Sequence, residues 1–263
     1  MEVQQTIRFD DAVAYEEFMG KWSRLAGDAF LDWLAAPAGL RWVDVGCGNG
    51  AFTELLIDRC APIAVEGIDP SEEQLAFARD RLGTSPARFR QGDAMALPFA
   101  DRGFDAAVMA LVIFFVTDPA RGVAEMARVV RPGGRVSAYA WDMLGGGFPY
   151  AAVQEELTAL GSPHLWPPSV EASRIDVMRG LWNDAGLVEV RTRTIRVERT
   201  FADFETFWTI ALTGPRIAPR IAAMAPADVA LVKERLRARL TPDAGGRITY
   251  EAVANAVQGE VPR

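Results

Sequence analysis

Between residues 41 and 142, short apolar runs alternate with stretches of helical periodicity, and this alternation constrains the fold more than any other feature. Arg41–Val45 is a short apolar run stopped by glycine, and Ala51–Arg59 sets Phe52, Leu55 and Leu56 at helical spacing. Ile63–Ile68 is the next run, closed by Asp69-Pro70. Ser71 then stands where a helix N-cap belongs, with Glu72 and Glu73 in the first turn, where the helix dipole favours them. That helix is expected to reach Leu82, with Gly83 ending it. Ala87–Gln91, Phe104–Leu111 and Arg135–Ala140 continue the strands, separated by a helix over Asp118–Val130 and the stop Pro132-Gly133-Gly134. Phe104–Leu111 is almost continuously apolar, as a strand buried on both faces must be. This succession predicts an α/β fold with a doubly wound, mostly parallel sheet and right-handed crossovers.

The remainder of the chain reads differently. Residues 143–171 are rich in Gly and Pro (GGGFP, GSPHLWPPS) around one helical stretch at Ala151–Leu160, the pattern of an insertion over one sheet edge. Ile175–Ala185 predicts a helix and Leu187–Arg199 a long strand. Phe201–Leu240 predicts two or three helices broken at Gly214-Pro215 and Pro226, and Gly246–Val257 a last strand. With no internal repeat or low-complexity linker, one domain is expected over residues 1–263. It would comprise N-terminal cap helices (1–38), a core (39–142), an insertion with a helix (143–185), and further strands carrying a helical insertion near 201–240 (186–263).

Composition removes several classes of function. The net charge of −7 argues against nucleic-acid binding, which needs a basic patch or stripe. The most basic stretch, KERLRAR from Lys233 to Arg239, contains Glu234 and reads as a solvated helix face. Two cysteines and one histidine form neither a disulfide framework nor a metal-ligand spacing, so no metal site is expected. The N-terminal MEVQQTIRFDD is polar and acidic, unlike a signal peptide, and no run approaches the roughly 20 apolar residues of a membrane helix. The expectation is a soluble cytoplasmic protein without a membrane or nucleic-acid partner. Oligomeric state leaves no trace in the sequence.

The turn VDVGCGNGA, residues 43–51, carries the first functional signal. A strand, a glycine turn and a helix bring backbone N–H groups to a helix N-terminus. Gly46, Gly48 and Ala51 fit the G-x-G-x-x-G/A pattern of dinucleotide binders; Gly46, Gly48 and Gly50 with Asp44 fit the looser loop of S-adenosylmethionine (SAM) enzymes. Asp44 leans toward a cationic ligand, because a carboxylate there opposes a pyrophosphate and favours a sulfonium or ammonium. It also suits a buried carboxylate capping loop amides. Asp69, ending the second strand, stands where such folds present an acid to ribose hydroxyls. Asp93, just past the third strand, can accept from an adenine amine with Ala94 offering a backbone N–H, though an aspartate beside glycine also suits a plain turn.

In order and spacing, VDVGCGNG, GIDPSEEQLAFAR, QGDAMALPF, FDAAVMALVIFF and RVVRPGGRV resemble the class I SAM-dependent methyltransferases, within them the small-molecule group similar to the ubiquinone/menaquinone biosynthesis enzymes. The resemblance runs from about Leu40 to Ala140. It implies a seven-stranded Rossmann-like sheet with an antiparallel edge pair, here Leu187–Arg199 and Gly246–Val257, and helical cap insertions. It implies SAM as cofactor, S-adenosylhomocysteine as product and a small-molecule acceptor. Gly46 and Gly48 would line the methionine part with Asp44 nearby, and Asp69 would hold the ribose. Asp93 and Ala94 would recognise adenine, Met109 would back the methionine moiety, and Leu111 would face the reaction centre. YEEFMG, residues 15–20, followed by KWS, is similar to the cap helix of such enzymes, with Tyr15, Trp22 and Arg24 as candidates for closing it; an amphipathic helix packing on the sheet fits equally.

One position departs from that pattern. Relatives often carry histidine after the fourth strand, where this chain has Val112 and Ile113. Methyl transfer from a sulfonium needs a base only if the acceptor must lose a proton. His164, in the Gly/Pro-rich insertion, and Asp142, after the fifth strand, are the base candidates, although a loop histidine and a turn aspartate explain them as well. No catalytic residue is assigned. A catalytically silent SAM-binding protein is the alternative, and an NAD(P)-dependent oxidoreductase a more distant one, since no second mononucleotide half follows.

Overall fold

The computed structural model describes residues 16–263. Among these residues seven strands make one sheet: β1 (Arg41–Val45), β2 (Ala64–Asp69), β3 (Ala87–Gln91), β4 (Phe104–Ala110), β5 (Val130–Trp141), β6 (Val188–Phe201) and β7 (Ile248–Glu260). Their order is β3-β2-β1-β4-β5-β7-β6. The pairs β3–β2, β2–β1, β1–β4 and β4–β5 are parallel, and β7 lies antiparallel to β5. The order reverses at β1, so a crevice opens beyond the carboxyl ends of β1 and β4, the place where doubly wound sheets bind ligands.

The chain divides into two compact units. Of the described residues, one comprises 23–147, 167–196 and 253–263; the other comprises 16–22, 148–166 and 197–252. In the first, helices α1 (Lys21–Leu34), α2 (Ala51–Cys60), α3 (Glu72–Leu82), α4 (Pro119–Val129) and α6 (Ile175–Asp184) accompany the parallel strands, α1 from residue 23 onward. Ser71 caps α3 as its position predicts, accepting the Gln74 N–H at 3.3 Å. Asp118 does the same for α4, whose first residue is a proline that has no N–H to satisfy. Phe30 of α1 is fully buried and stacks on Tyr139 of β5 at 4.6 Å, with Phe52 of α2 5.7 Å from the same ring. Trp182 of α6 is buried and donates from Nε1 to the Val136 carbonyl at 2.9 Å.

Strand β5 is longer than the sequence suggests. Pro132-Gly133-Gly134 does not stop the unit but lies inside the strand as a bulge. Phe104 pairs with Val130 and Ala106 with Arg135, so the two strands advance by different lengths there. Gly133 takes φ +75° and donates to the Val261 carbonyl at 2.8 Å. A Cβ at Gly134 would stand 2.5 Å from the Asp105 carbonyl oxygen, so only glycine lets the strands approach.

The second unit contains α5 (Ala151–Ala159), α7 (Phe204–Ala211), α8 (Ala218–Ala222) and α9 (Pro226–Arg239). The three helices from Phe204 onward separate around Gly214-Pro215 and at Pro226, as expected, and Pro226 opens α9 because proline is tolerated in the first turn. Arg239 of α9 reaches Glu155 and Glu156 of α5 at 2.8 and 3.1 Å. Glu16–Gly20 forms a single π-type turn. Its Phe18 carbonyl accepts from the Tyr150 hydroxyl at 3.0 Å, and the Phe18 and Tyr150 rings stack at 4.4 Å. The Arg199 guanidinium binds both the carbonyl and the carboxylate of Glu17.

Phe30→Ala removes the ring that joins α1 to Tyr139 and Phe52. It is expected to lower unfolding free energy by about 3–5 kcal/mol, read from a urea midpoint shift at unchanged slope.

Candidate functional site

The glycine turn after β1 is shaped by three left-handed residues: Gly46, Gly48 and Gly50 at φ +79°, +52° and +78°. This conformation is nearly free for glycine and costs about 1–2 kcal/mol for other L-residues. It turns the Gly46 and Cys47 N–H groups onto the Ile68 carbonyl at 2.7 and 3.0 Å, which ties the turn to the end of β2. A Cβ at Gly46 would stand 2.5 Å from a Val112 methyl, so the segment after β4 packs directly on the turn. At Gly48 a Cβ would meet only Gln74 Oε1, at 3.9 Å, which leaves open space above that residue.

Asp69 joins the two loops. Its Oδ2 accepts the Gly48 N–H at 3.0 Å and its Oδ1 accepts the Ser71 N–H at 2.9 Å. Burial pushes the Asp69 carboxyl up, and the bonds from Ser71 and Gly48 pull it back. Its backbone carbonyl accepts the Gly92 N–H at 3.1 Å, bringing Asp93 beside it at the exit of β3. Asp93 is exposed and accepts the Met95 N–H at 2.8 Å, so one of its oxygens already shapes a turn. The segment that follows is fixed by α4: Arg128 donates to the Leu97 and Phe99 carbonyls at 3.0 and 2.8 Å, while Glu125 accepts the Leu97 N–H at 2.8 Å. Gly122 of the same helix lies beside both: a Cβ there would be in ordinary contact with Met109 Cε at 3.8 Å and the Ala94 carbonyl at 4.0 Å, with a Val116 methyl its tightest neighbour at 3.3 Å. Met109 itself is fully buried.

Asp44 is wholly buried in β1, and its Oδ2 accepts from Thr53 Oγ1 of α2 at 2.7 Å. It caps no loop amide, contrary to one reading of its position. Its Oδ1 is buried without a hydrogen-bond partner among the described residues. Sequence reasoning missed Thr53, whose signal is a hydroxyl residue in the first helical turn behind a strand carrying an acid.

Past β4, Leu111 adopts φ +60°, unusual for a branched side chain, and donates its N–H to the Tyr139 carbonyl at 2.8 Å. Trp141, at the end of β5, is buried. Asp142 accepts the Gly145 N–H at 3.1 Å and, through its backbone carbonyl, the Gly147 N–H at 2.7 Å, which makes it the hinge of a glycine turn. Of the lid candidates, Trp22 follows the alternative of a packing helix. Trp22 is fully buried within its own unit against Phe201 and Tyr250, as core, and Arg24 is exposed. Tyr15 lies outside the described residues. In the second unit His164 stacks on Trp166 at 3.6 Å, and burial with Arg220 and Arg216 lowers it to about 4, leaving a neutral imidazole that is a weak base.

Among the described residues no cluster of His, Cys, Asp and Glu is placed to hold a metal ion, and no helix is long and apolar enough to cross a membrane.

Residues 43–138 match a protein family described as a methyltransferase domain. Over 108 residues the chain is 42% identical to the demethylmenaquinone methyltransferase of Desulfitobacterium hafniense (strain Y51), covering 39% of this chain and 43% of that protein. Over 144 residues it is 37% identical to the phosphatidylethanolamine N-methyltransferase of Cereibacter sphaeroides, covering 52% of this chain and 68% of that protein. The chain thus spans less than half of the first relative's length and about two thirds of the second's. In fold it is similar to Haemonchus contortus phosphoethanolamine N-methyltransferase 2, solved with phosphomonomethylethanolamine and S-adenosylhomocysteine. The TM-score is 0.62 at 17% identity, over 98% of this chain and 59% of that one.

The two glycines differ in what a methyl group would meet. Gly48→Ala is expected to cost about 1–2 kcal/mol from its backbone conformation alone. Gly46→Ala should cost more, because Val112 must also move, and Gly46→Ala/Val112→Ala should recover part of the difference. Denaturant midpoints of the three variants check this.

Proposed function

Because this chain belongs to the class I SAM-dependent methyltransferases, we propose that it transfers the methyl group of SAM to a small-molecule acceptor, with S-adenosylhomocysteine as product. The observation that carries this reading is the orphaned, buried oxygen of Asp44 beside the glycine turn. Ionised, a carboxyl there repels a pyrophosphate and matches a ligand that is cationic at its methionine end. In this reading Gly46 and Gly48 give the ligand close access to the backbone, and Asp69, already oriented by two N–H bonds, accepts the ribose hydroxyls. Asp93 and Ala94 take the adenine edge, and Met109 backs the methionine moiety.

The bound cofactor supplies a methyl group already activated by its sulfonium charge. What remains for the protein is to hold the nucleophile in line and keep water out, which is a matter of positioning. Leu111, Val112 and Ile113 offer no titratable group after β4. Asp142 is engaged in its own turn. These residues fit an acceptor that is nucleophilic without help from an enzymic base. The names of the relatives span a quinone-type and an amine-bearing acceptor, so both classes belong in a substrate panel.

Isothermal titration of the folded protein should give saturable SAM binding; none at millimolar SAM would sink the proposal. Asp69→Ala loses its ribose contact, and one hydrogen bond to a charged acceptor is worth about 1.5–3 kcal/mol, so SAM affinity should fall by at least roughly tenfold to a hundredfold. With methyl-labelled SAM and an active acceptor, Asp142→Asn should leave turnover within about tenfold of the parent. A loss of roughly 10²–10⁴ would instead make Asp142 the general base.

A further inference from the structure

Asp44 sits in surroundings that do not suit a carboxylate. It is fully buried, and a single hydrogen bond from Thr53 serves one of its two oxygens. Among the described residues, the titratable groups that face it from the packed elements offer no positive charge. Asp69, from β2, is a like charge. The Cys47 thiol of the glycine turn is pushed far up by burial and by both aspartates. The Tyr139 phenol of β5 is likewise pushed up, with burial the main cause and Asp44 the next. An ionised carboxylate with no cation and one donor pays a desolvation penalty that its contacts do not offset. A carboxylic acid in the same place is neutral and escapes that penalty.

We propose that Asp44 carries a proton in the unliganded protein and releases it when SAM binds, so that cofactor binding is coupled to proton release. The step balances simply. The carboxylic acid becomes a carboxylate, its proton passes to buffer, and the charge left behind is matched by the cationic methionine end of the ligand. Burial, reinforced by Asp69, pushes Asp44 up to about 7, and the Thr53 bond works in the opposite direction. Thr53 is therefore a positioning residue. By occupying Oδ2 it leaves Oδ1 as the one oxygen without a partner among the described residues, and it lowers the pH at which the proton leaves.

The sign follows from linkage. Where Asp44 is protonated in the free protein, binding must first remove the proton, so SAM affinity rises with pH by up to about tenfold per unit. Above the pKa of the free protein this dependence vanishes. The inference rests on the SAM reading, and titration calorimetry in buffers of different ionisation enthalpy separates the two. No binding of SAM by the folded protein at any pH overturns both. Binding with protons released near pH 6 and fading by pH 8.5, in excess of any released with Asp44→Asn, supports the coupling. The Asn variant removes the protein's proton and leaves the ligand's own amine to titrate.

Equal proton release by parent and Asp44→Asn overturns the coupling while the SAM site stands. If Asp44→Asn loses affinity altogether, Thr53→Val decides. Removing the hydroxyl that favours the charged form must move the affinity midpoint to higher pH, and an unmoved midpoint overturns the proposal. Difference infrared spectra of the parent at pH 6 provide a readout without mutation. A protonated-carboxyl stretch should disappear on adding SAM, and its absence from the free protein would be equally decisive against the coupling.

Discussion

The Asp69 carboxylate joins two loops through one side chain. One oxygen holds the glycine turn of β1 and the other holds the turn that starts α3, while the same residue's carbonyl takes the first N–H past β3. Three strand ends are brought to one level by a single side chain and its own backbone. Without it, Gly48 would keep its permissive backbone but lose the partner that selects one conformation. The residue expected to meet the ribose is therefore also the residue that builds the site, and its bonds to N–H groups offset part of the cost of its burial.

Most of the parallel sheet was legible because its signals are local. Phe104–Leu111 reads as a buried strand from its run of apolar residues, and Ser71 with two glutamates reads as a helix start. What could not be read depends on contacts between distant segments. Pro132-Gly133-Gly134 has the composition of a stop, and only the flanking pairs with β4 and the bonds of Gly133 and Gly134 to Val261 make it part of a strand. Trp22 looks like a lid residue in isolation, and its burial against Phe201 and Tyr250 depends on segments far along the chain. At the site, the glycines and Asp69 announced themselves by spacing. Thr53 did not, since a threonine in a first helical turn is ordinary until the strand beneath it carries Asp44.

The segment after β4 explains how an apolar sequence can still be specific. Leu111 is held in a left-handed conformation by its bond to Tyr139, and Val112 fills the space that a side chain at Gly46 would need. The glycine turn and the post-β4 segment are thus shaped by one steric fit, with the cofactor loop on one side and Leu111 on the other. A side chain of different shape at 112 would be felt at the glycine turn before it altered any chemistry.

The bulge in β5 carries a consequence for how this chain can vary in length. Side chains alternate across a strand, so residues 135–141 keep their faces only while the number of residues before them is conserved. Tyr139 and Trp141 share one face, and Ala138 and Ala140 the other. An insertion or deletion of one residue between Arg131 and Gly134 would point alanines at Phe30 and turn the aromatics toward the opposite helix layer. Gly134, pressed against the Asp105 carbonyl, fixes that count at the point where the strand looks most like a loop. Length changes in related chains should accordingly be absent from this tripeptide and its neighbours.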